Sequence, residues 1–409
     1  MTLALGDILV AGGGIGGITA ALCLAQQGFN VRVFEQSAEF TEVGAGIQLS
    51  PNCSRVLHSL GLAEALAPIV FLPDGVEMRA WRSGKLISTS RLGTNVRETF
   101  GSPYYHVHRA DLMAVLLDAA RRAARIQLHT HARVDCVRQS QDSVVLEVDG
   151  REHMGAALVG ADGIRSLVRT TLFGEEAPSF TGNVAWRALV PANSLPKGLV
   201  RPMATAWWGP GKHFVHYYVR GGALVNCVCV VEKSGWEVES WTERGDIAEL
   251  KRDFAGWHAD LQLLIAAMDA DRCYKWALFD RAPMANWSRG RMTLLGDACH
   301  PTLPFMAQGA AMAIEDAAVL SRCLAAGVLR DREVPQSLLA YENLRRARTA
   351  RIQAGSRRNA KVFHLRGLSA WMRNRVARRA GDQMMHWLYG YDALGAAAVA
   401  VSDESDERP

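Results

Sequence analysis

The chain is 409 residues long, 49% hydrophobic and 21% charged, enough apolar material for a large core divided between two or more domains. Its net charge of +5 leaves no nucleic-acid footprint in the total, and no stretch reaches the length of a membrane span, about 18 consecutive apolar residues. Residues 1 to 7 lack a basic patch and run straight into a strand, and the eight cysteines are scattered. These features favour a cytoplasmic protein with core thiols, and they argue against a secretory leader and against a metal centre.

Asp7 to Ala11 reads as a short buried strand, Gly12-Gly13-Gly14-Ile15-Gly16-Gly17 as a tight turn, and Ile18 to Gln27 as a helix. A second strand, Val31 to Glu35, ends in an acid. Strand, glycine turn, helix and acid-tipped strand within about 30 residues is the arrangement a dinucleotide needs. Gly12 permits the turn, Gly14 lets the backbone approach a pyrophosphate, and Gly17 lets the helix pack on the sheet. The helix N-terminus that follows Ile15 and Gly16 of the turn offers amides and a partial positive charge to phosphates. Glu35, followed by Gln36, is set to accept hydrogen bonds from ribose hydroxyls.

Farther along, His108-Arg109-Ala110-Asp111-Leu112 introduces a helical run through Arg125. Leu128 to Val137 and Ser143 to Val148 read as two strand pieces joined by the polar Gln139-Ser140-Gln141-Asp142, and Ala156 to Asp162 as a buried strand ending in Gly160-Ala161-Asp162-Gly163. Between 181 and 278 the composition turns to strands and aromatics, among them Trp186, Trp207, Trp208, Phe214, Tyr217 and Tyr218. The period-two runs Phe214 to Arg220 and Ala223 to Val231 predict an antiparallel sheet there. Arg291 to Asp297 returns to a buried strand, and Ala310 to Ala325 reads as a helix. The dinucleotide domain is therefore expected to be discontinuous, built from 1–75, 101–180 and 279–350. A sheet domain for substrate (76–100 and 181–278) is inserted into it, and 351–409 forms a C-terminal helical segment. Leu344 to Ala380 holds twelve Arg or Lys and no Asp or Glu, a solvated helical face or a field that steers anions.

Leu294-Leu295-Gly296-Asp297-Ala298-Cys299-His300-Pro301, followed by Pro304 and Gln308-Gly309-Ala310-Ala311, is a strand ending in an acid, a Pro/Gly loop and a helix start. Asp297 is placed for a polyol hydroxyl. The helix end at Ala310 is placed for the negative charge of a reduced flavin ring.

With the glycine fingerprint at 12–17, Asp162-Gly163 and Gly296-Asp297 in order, the chain resembles the single-component FAD-dependent aromatic hydroxylases. Within that family it is similar to the salicylate, 3-hydroxybenzoate and 6-hydroxynicotinate hydroxylases. The likeness extends through 43–52, 108–112 and 306–309, and to Trp387-Leu388-Tyr389-Gly390-Tyr391-Asp392. It implies an α/β fold: a Rossmann-like FAD-binding domain of the p-hydroxybenzoate hydroxylase type, an inserted antiparallel (α+β) substrate domain, and C-terminal helices. It implies FAD held by Gly12, Gly14, Ile15, Gly16, Gly17, Glu35 and Gln36 at the ADP half, with the Val134 backbone near the adenine. Arg109 would reach the pyrophosphate or ribityl region, Asp162 would act through its Asp-Gly motif, and Asp297 would take the ribityl chain. Pro304, Gly309 and Ala310 would lie at the flavin ring, and Gln48 would touch flavin or substrate.

The same resemblance implies NADH or NADPH as a transient donor, since the chain has a single fingerprint. It also implies O2 activated as a flavin C4a-hydroperoxide, and a small hydroxylated aromatic or N-heteroaromatic acid as substrate for a monomer or homodimer. A larger uncharged ring, hydroxylated or epoxidised in a tailoring reaction, is the alternative. His213, Val215 and Tyr217 share one strand face, so His213 and Tyr217, with Gln48, are the candidates for deprotonating or binding the substrate hydroxyl. Arg187 and Arg220 are candidates for a carboxylate, and His300 for a brace of the flavin loop. The chain departs from the 6-hydroxynicotinate pattern at Gln48 and Phe305, where that type carries His, and from the 3-hydroxybenzoate pattern at Pro304, where that type carries Gln.

Overall fold

The computed structural model describes residues 6–39, 45–233, 235, 243–377 and 383–396. Of the segments singled out above, 1–5, 43–44, 378–380 and 397–409 lie outside the described residues. A six-stranded sheet runs in the order Ser288–Arg289, Met292–Leu294, Ala157–Gly160, Ile8–Ala11, Val31–Phe34, Ile126–His129. Its neighbours are parallel except the short Ser288–Arg289 edge. Ile8–Ala11 and Ala157–Gly160 are buried at every position, as expected of parallel strands covered on both faces.

The register explains why three motifs so far apart in the chain form one site. Ala11 pairs with Gly160, and Gly160 with Leu294. Gly12, Asp162 and Asp297 therefore emerge within a residue or three of the carboxyl ends of adjacent strands, where open α/β sheets bind ligands. The helix Ile15–Gln26 packs along Gly309–Val328, and the long helix Val334–Phe363 backs the latter.

The second sheet has seven strands in the order Tyr274–Asp280, Ser179–Pro191, Leu224–Glu232, Lys212–Val219, Met203–Gly209, Gly75–Ala80, Leu86–Arg91. It is antiparallel apart from the parallel pair Met203–Gly209 and Gly75–Ala80. One face buries Trp186, Phe214, Phe254, Trp257 and Leu261 beneath the helices Ile247–Asp253 and Ala259–Ala266. The antiparallel sheet expected within 181–278 is present, and these two helices, which the sequence analysis did not place, cover one side of it. On the opposite face Tyr217 and Val215 pack with Val76, Ala204 and Val219.

A further correction concerns Leu128 to Val137. Ile126–His129 is the parallel edge of the first sheet, whereas Val134–Gln139 pairs antiparallel with Val144–Val148 in a separate three-stranded sheet. His131, at φ 51°, turns the chain between them. Finally, the helix Val334–Phe363 runs through residue 350, so a domain boundary there would cut an element.

Candidate flavin and substrate site

The fingerprint turn is shaped by close backbone approach. Gly12 has φ +104°, and a Cβ on it would lie 2.3 Å from the Ala161 carbonyl; one on Gly17 would lie 2.0 Å from the Gly12 carbonyl. Gly14 caps a helix that begins at Ile15 with no side-chain cap, which leaves its first amides available to an anion. The Gly13 amide donates to Glu35 Oε2 at 2.8 Å and the Ser37 amide to Oε1 at 2.9 Å, so the acid is held beside the turn next to the exposed Gln36. The Ala132 amide donates to the Glu35 carbonyl, which brings the start of Val134–Gln139 to the same edge.

Asp162 accepts from the Val168 amide at 3.1 Å through Oδ2, while its buried Oδ1 has no hydrogen-bond partner. Burial pushes its carboxyl up against the pull of those hydrogen bonds. Arg109 opens the helix Arg109–Arg122, and its amide donates to the Ala45 carbonyl at 2.9 Å. Its guanidinium is enclosed, which lowers its pKa, and Asp297 opposes that shift. Asp297 is exposed at its surface yet ringed by protein atoms, as a side chain facing a cleft must be. Burial raises its carboxyl, and His300 and Arg109 pull it back. Pro304 is exposed on the single turn Pro304–Met306, and Gly309 and Ala310 are half-buried at the start of Gly309–Val328. An orphaned carboxylate oxygen, uncapped helix starts and a cationic side chain facing the cleft suit a flavin dinucleotide.

The substrate candidates divide into two places. Tyr217 is buried against His106, with ring centroids 4.6 Å apart, and its ring lies beneath Gly46, where a Cβ would come within 2.7 Å of it. The Gly46 amide donates to Asn226 Oδ1 at 2.8 Å. Burial pushes the Tyr217 hydroxyl up, while Arg187 and Asn226 favour its ionised form. His213, on the same face and about 13 Å along the strand, is not in that group. It packs edge-on against Phe305 and Phe363 and shares a 2.8 Å hydrogen bond with His364. Gln48 accepts from the Tyr104 hydroxyl at 2.6 Å.

Arg187 lies over Trp276 at 4.4 Å, and burial together with nearby Arg109 brings its pKa down to about 9. With Ala45, His108, Asn226, Tyr274 and Arg220 it lines a cavity of about 510 Å³. Arg220 is held at the cavity edge by two hydrogen bonds to Asp111, of 2.8 and 2.7 Å. Sequence reasoning missed His106, Asn226 and Tyr104, single residues whose patterns carry no signal of a site. It also missed Gln308, whose side chain bonds Ser50 and Asn52 and ties the flavin loop to the Gly46–Leu49 strand. His300 Nε2 donates to Asp316 Oδ2 at 2.5 Å. Cys299, His300 and Asp316 converge, but Asp316 also takes Arg345 at 2.7 Å, so the cluster reads as an ion-pair brace. Among the described residues no helix is long and apolar enough to cross a membrane.

A family model described as "FAD binding domain" matches residues 6–356. The chain is 38% identical to a 3-hydroxybenzoate 6-hydroxylase of Polaromonas naphthalenivorans, over 94% of this chain and 96% of that one. It is 37% identical to a 6-hydroxynicotinate 3-monooxygenase of Bordetella bronchiseptica, over 96% and 97% respectively. The crystal structure of Klebsiella pneumoniae HpxO complexed with FAD and uric acid superposes with a TM-score of 0.81 at 27% identity, covering 95% of this chain and 96% of that one. The chain belongs to the FAD binding domain family, as an aromatic-ring monooxygenase with FAD as its cofactor.

Proposed function

We propose that the protein uses NADH or NADPH and O2 to hydroxylate a small aromatic or N-heteroaromatic carboxylate that already bears a ring hydroxyl. The observation that carries this reading is the buried guanidinium of Arg187 in the cavity beside Ala45, close enough to Tyr217 to favour its ionised form. Burial disfavours the charge of that guanidinium, and Arg109 beside it adds to the effect. An anionic ligand relieves both.

Bound FAD supplies the redox and oxygen chemistry. The residues of the chain do the rest. Gly12, Gly14, Ile15, Gly16, Gly17, Glu35, Gln36 and Val134 hold the ADP half, Arg109, Asp162 and Asp297 the pyrophosphate and ribityl region, and Pro304, Gly309 and Ala310 the ring. Arg187 takes the carboxylate. Tyr217 hydrogen-bonds the substrate, His213 accepts the phenolic proton, and Gln48, fixed by Tyr104, lies at the junction of flavin and substrate. Removing that proton raises ring electron density ortho and para to the oxygen, which speeds attack on activated oxygen. The aromatic and aliphatic walls exclude water. In this division the six-stranded sheet carries the cofactor and the seven-stranded sheet covers the substrate.

A larger uncharged ring would bring no negative charge to the Arg187 and Arg109 guanidiniums, which stands against that alternative. The test is anaerobic mixing of the flavoprotein with NADH or NADPH in the presence of 3-hydroxybenzoate, salicylate or 6-hydroxynicotinate. At least one acid should accelerate flavin reduction and, in air, give a hydroxylated product. If none does, the substrate class is wrong.

A further inference from the structure

A hydrogen-bonded line starts at His213, the proposed base, and the proposed reaction leaves a proton to be disposed of. His213 Nδ1 and His364 Nε2 are 2.8 Å apart, and His364 Nδ1 lies 3.0 Å from Glu232 Oε1. The two imidazoles are buried, at 3% and 4% exposure, while the Glu232 side chain is 45% exposed. The line thus begins inside the protein and ends in water. His364 caps the helix Val334–Phe363, and its position is fixed by the Gly211 amide, which donates to its carbonyl at 3.0 Å.

The carboxylate sets both tautomers. Glu232 can only accept, so His364 carries its proton on Nδ1 and offers the Nε2 lone pair. His213 must then donate through Nδ1, which leaves its own Nε2 lone pair for a substrate hydroxyl. We propose that His364 and Glu232 form a relay with His213 that carries the substrate's phenolic proton to solvent.

The transfer balances. The substrate O–H proton goes to His213 Nε2, the Nδ1 proton of His213 to His364 Nε2, and the Nδ1 proton of His364 to the Glu232 carboxylate, which passes it to water. The ring that remains is a phenolate, and neither imidazole holds two protons at the end. This matters because burial holds both imidazoles away from the cationic form, and the field of His364 further disfavours a charge on His213. A stepwise route would place a cation on His213 with no carboxylate in contact. Glu232 offsets burial at His364, and Arg366 and Arg373 oppose it there. Arg366 lies 3.3 Å from Glu232 Oε2 at the solvent end of the line.

The relay rests on the proposed substrate class, and the experiment separates the two. Holoenzyme is mixed at pH 8 with 3-hydroxybenzoate, salicylate or 6-hydroxynicotinate in weak buffer containing an indicator dye. Flavin absorbance reports binding and the dye reports proton release. Glu232→Gln keeps the hydrogen bond to His364 but cannot take its proton. It should bind with unchanged affinity and flavin spectrum, and release the proton about tenfold to a hundredfold more slowly. Glu232→Asp or added imidazole should restore the rate, which neither would do for a merely structural role. His364→Gln should be slowed equally, with flavin content showing that it is folded. Normal binding with unslowed release in Glu232→Gln overturns the relay alone, as does a slowing that neither Asp nor imidazole repairs. If no acid perturbs the flavin of the unaltered protein, the substrate reading falls and the relay with it.

Discussion

Arg187 and Gly17 show how differently two single residues can govern the same site. Arg187 is enclosed, lies near a second guanidinium and faces the cavity, which suits the anionic ligand proposed above. Replacing it with Met should therefore leave flavin content intact and raise the KM for the aromatic acid. The loss of a charge-assisted contact of about 1.5–3 kcal/mol corresponds to about 10- to 150-fold. An unchanged KM in steady-state assays would remove Arg187 from the substrate site. Gly17 acts through backbone alone. Its missing Cβ would sit 2.0 Å from the Gly12 carbonyl, so Gly17→Ala must push the helix off the turn proposed to hold the pyrophosphate. The purified variant should carry only a small fraction of the normal FAD, read as the ratio of flavin to protein absorbance. Full flavin content would show that the turn can move without harm. Gly17 was legible in the sequence because a fingerprint fixes spacing. His106 was not, since it meets the Tyr217 ring across 111 positions of chain.

At the scale of elements, the helices Gly309–Val328 and Val334–Phe363 are joined by a buried ionic cluster. Arg345 pairs with Glu315 at 2.6 Å and Asp316 at 2.7 Å, Arg348 with Glu315 at 2.8 Å, and all but Arg348 are fully enclosed. Asn52 and His300 complete it, so the cluster reaches both the helix after the Gly46–Leu49 strand and the flavin loop. Arg345→Met would leave two carboxylates buried without their shared cation. A destabilisation of about 3–5 kcal/mol is expected, visible as a lower thermal midpoint and faster flavin release on heating; an unaltered midpoint would show the cluster to be idle. The basic run 344–380 had been read as a solvated face or a steering field, yet Arg345, Arg348 and Arg373 are buried in it. Charge counting cannot see the partners, because Glu315 and Asp316 belong to another helix. The parallel sheet was readable because its strands are uniformly apolar and end at motifs. The break at His131 was not, because a left-handed turn on a residue other than glycine leaves no mark in the alternation. The helices covering 181–278 were hidden by the aromatic content of the strands around them.

Over the whole molecule, buried histidines and paired carboxylates make stability depend on pH in one direction. Burial holds His106 down to about 3 and His216 down to about 4, against about 6.5 in an unfolded chain. Below pH 6.5 the unfolded state binds protons that the folded state refuses, so stability is fully present above that pH and is lost as acid is added, down to the folded values. At pH 5 the two together remove about 4 kcal/mol. Spread over the unfolding entropy of a chain this long, that lowers Tm by about 5 °C. Glu315 and Asp316, held below the usual carboxylate range by Arg345, with Arg348 at Glu315 and His300 at Asp316, act with the same sign in a lower window. Their contribution is present above about pH 4 and disappears as pH falls through their folded values. The expected record is a Tm that is flat from pH 8 to 7, declines from 6.5 to 5 and drops more steeply below 4, followed by scanning calorimetry of the flavoprotein at constant ionic strength. A Tm that held constant between pH 7 and 5 would mean that His106 and His216 gain protons in the fold as readily as in the open chain, and that their two surroundings are wetter than the packing implies.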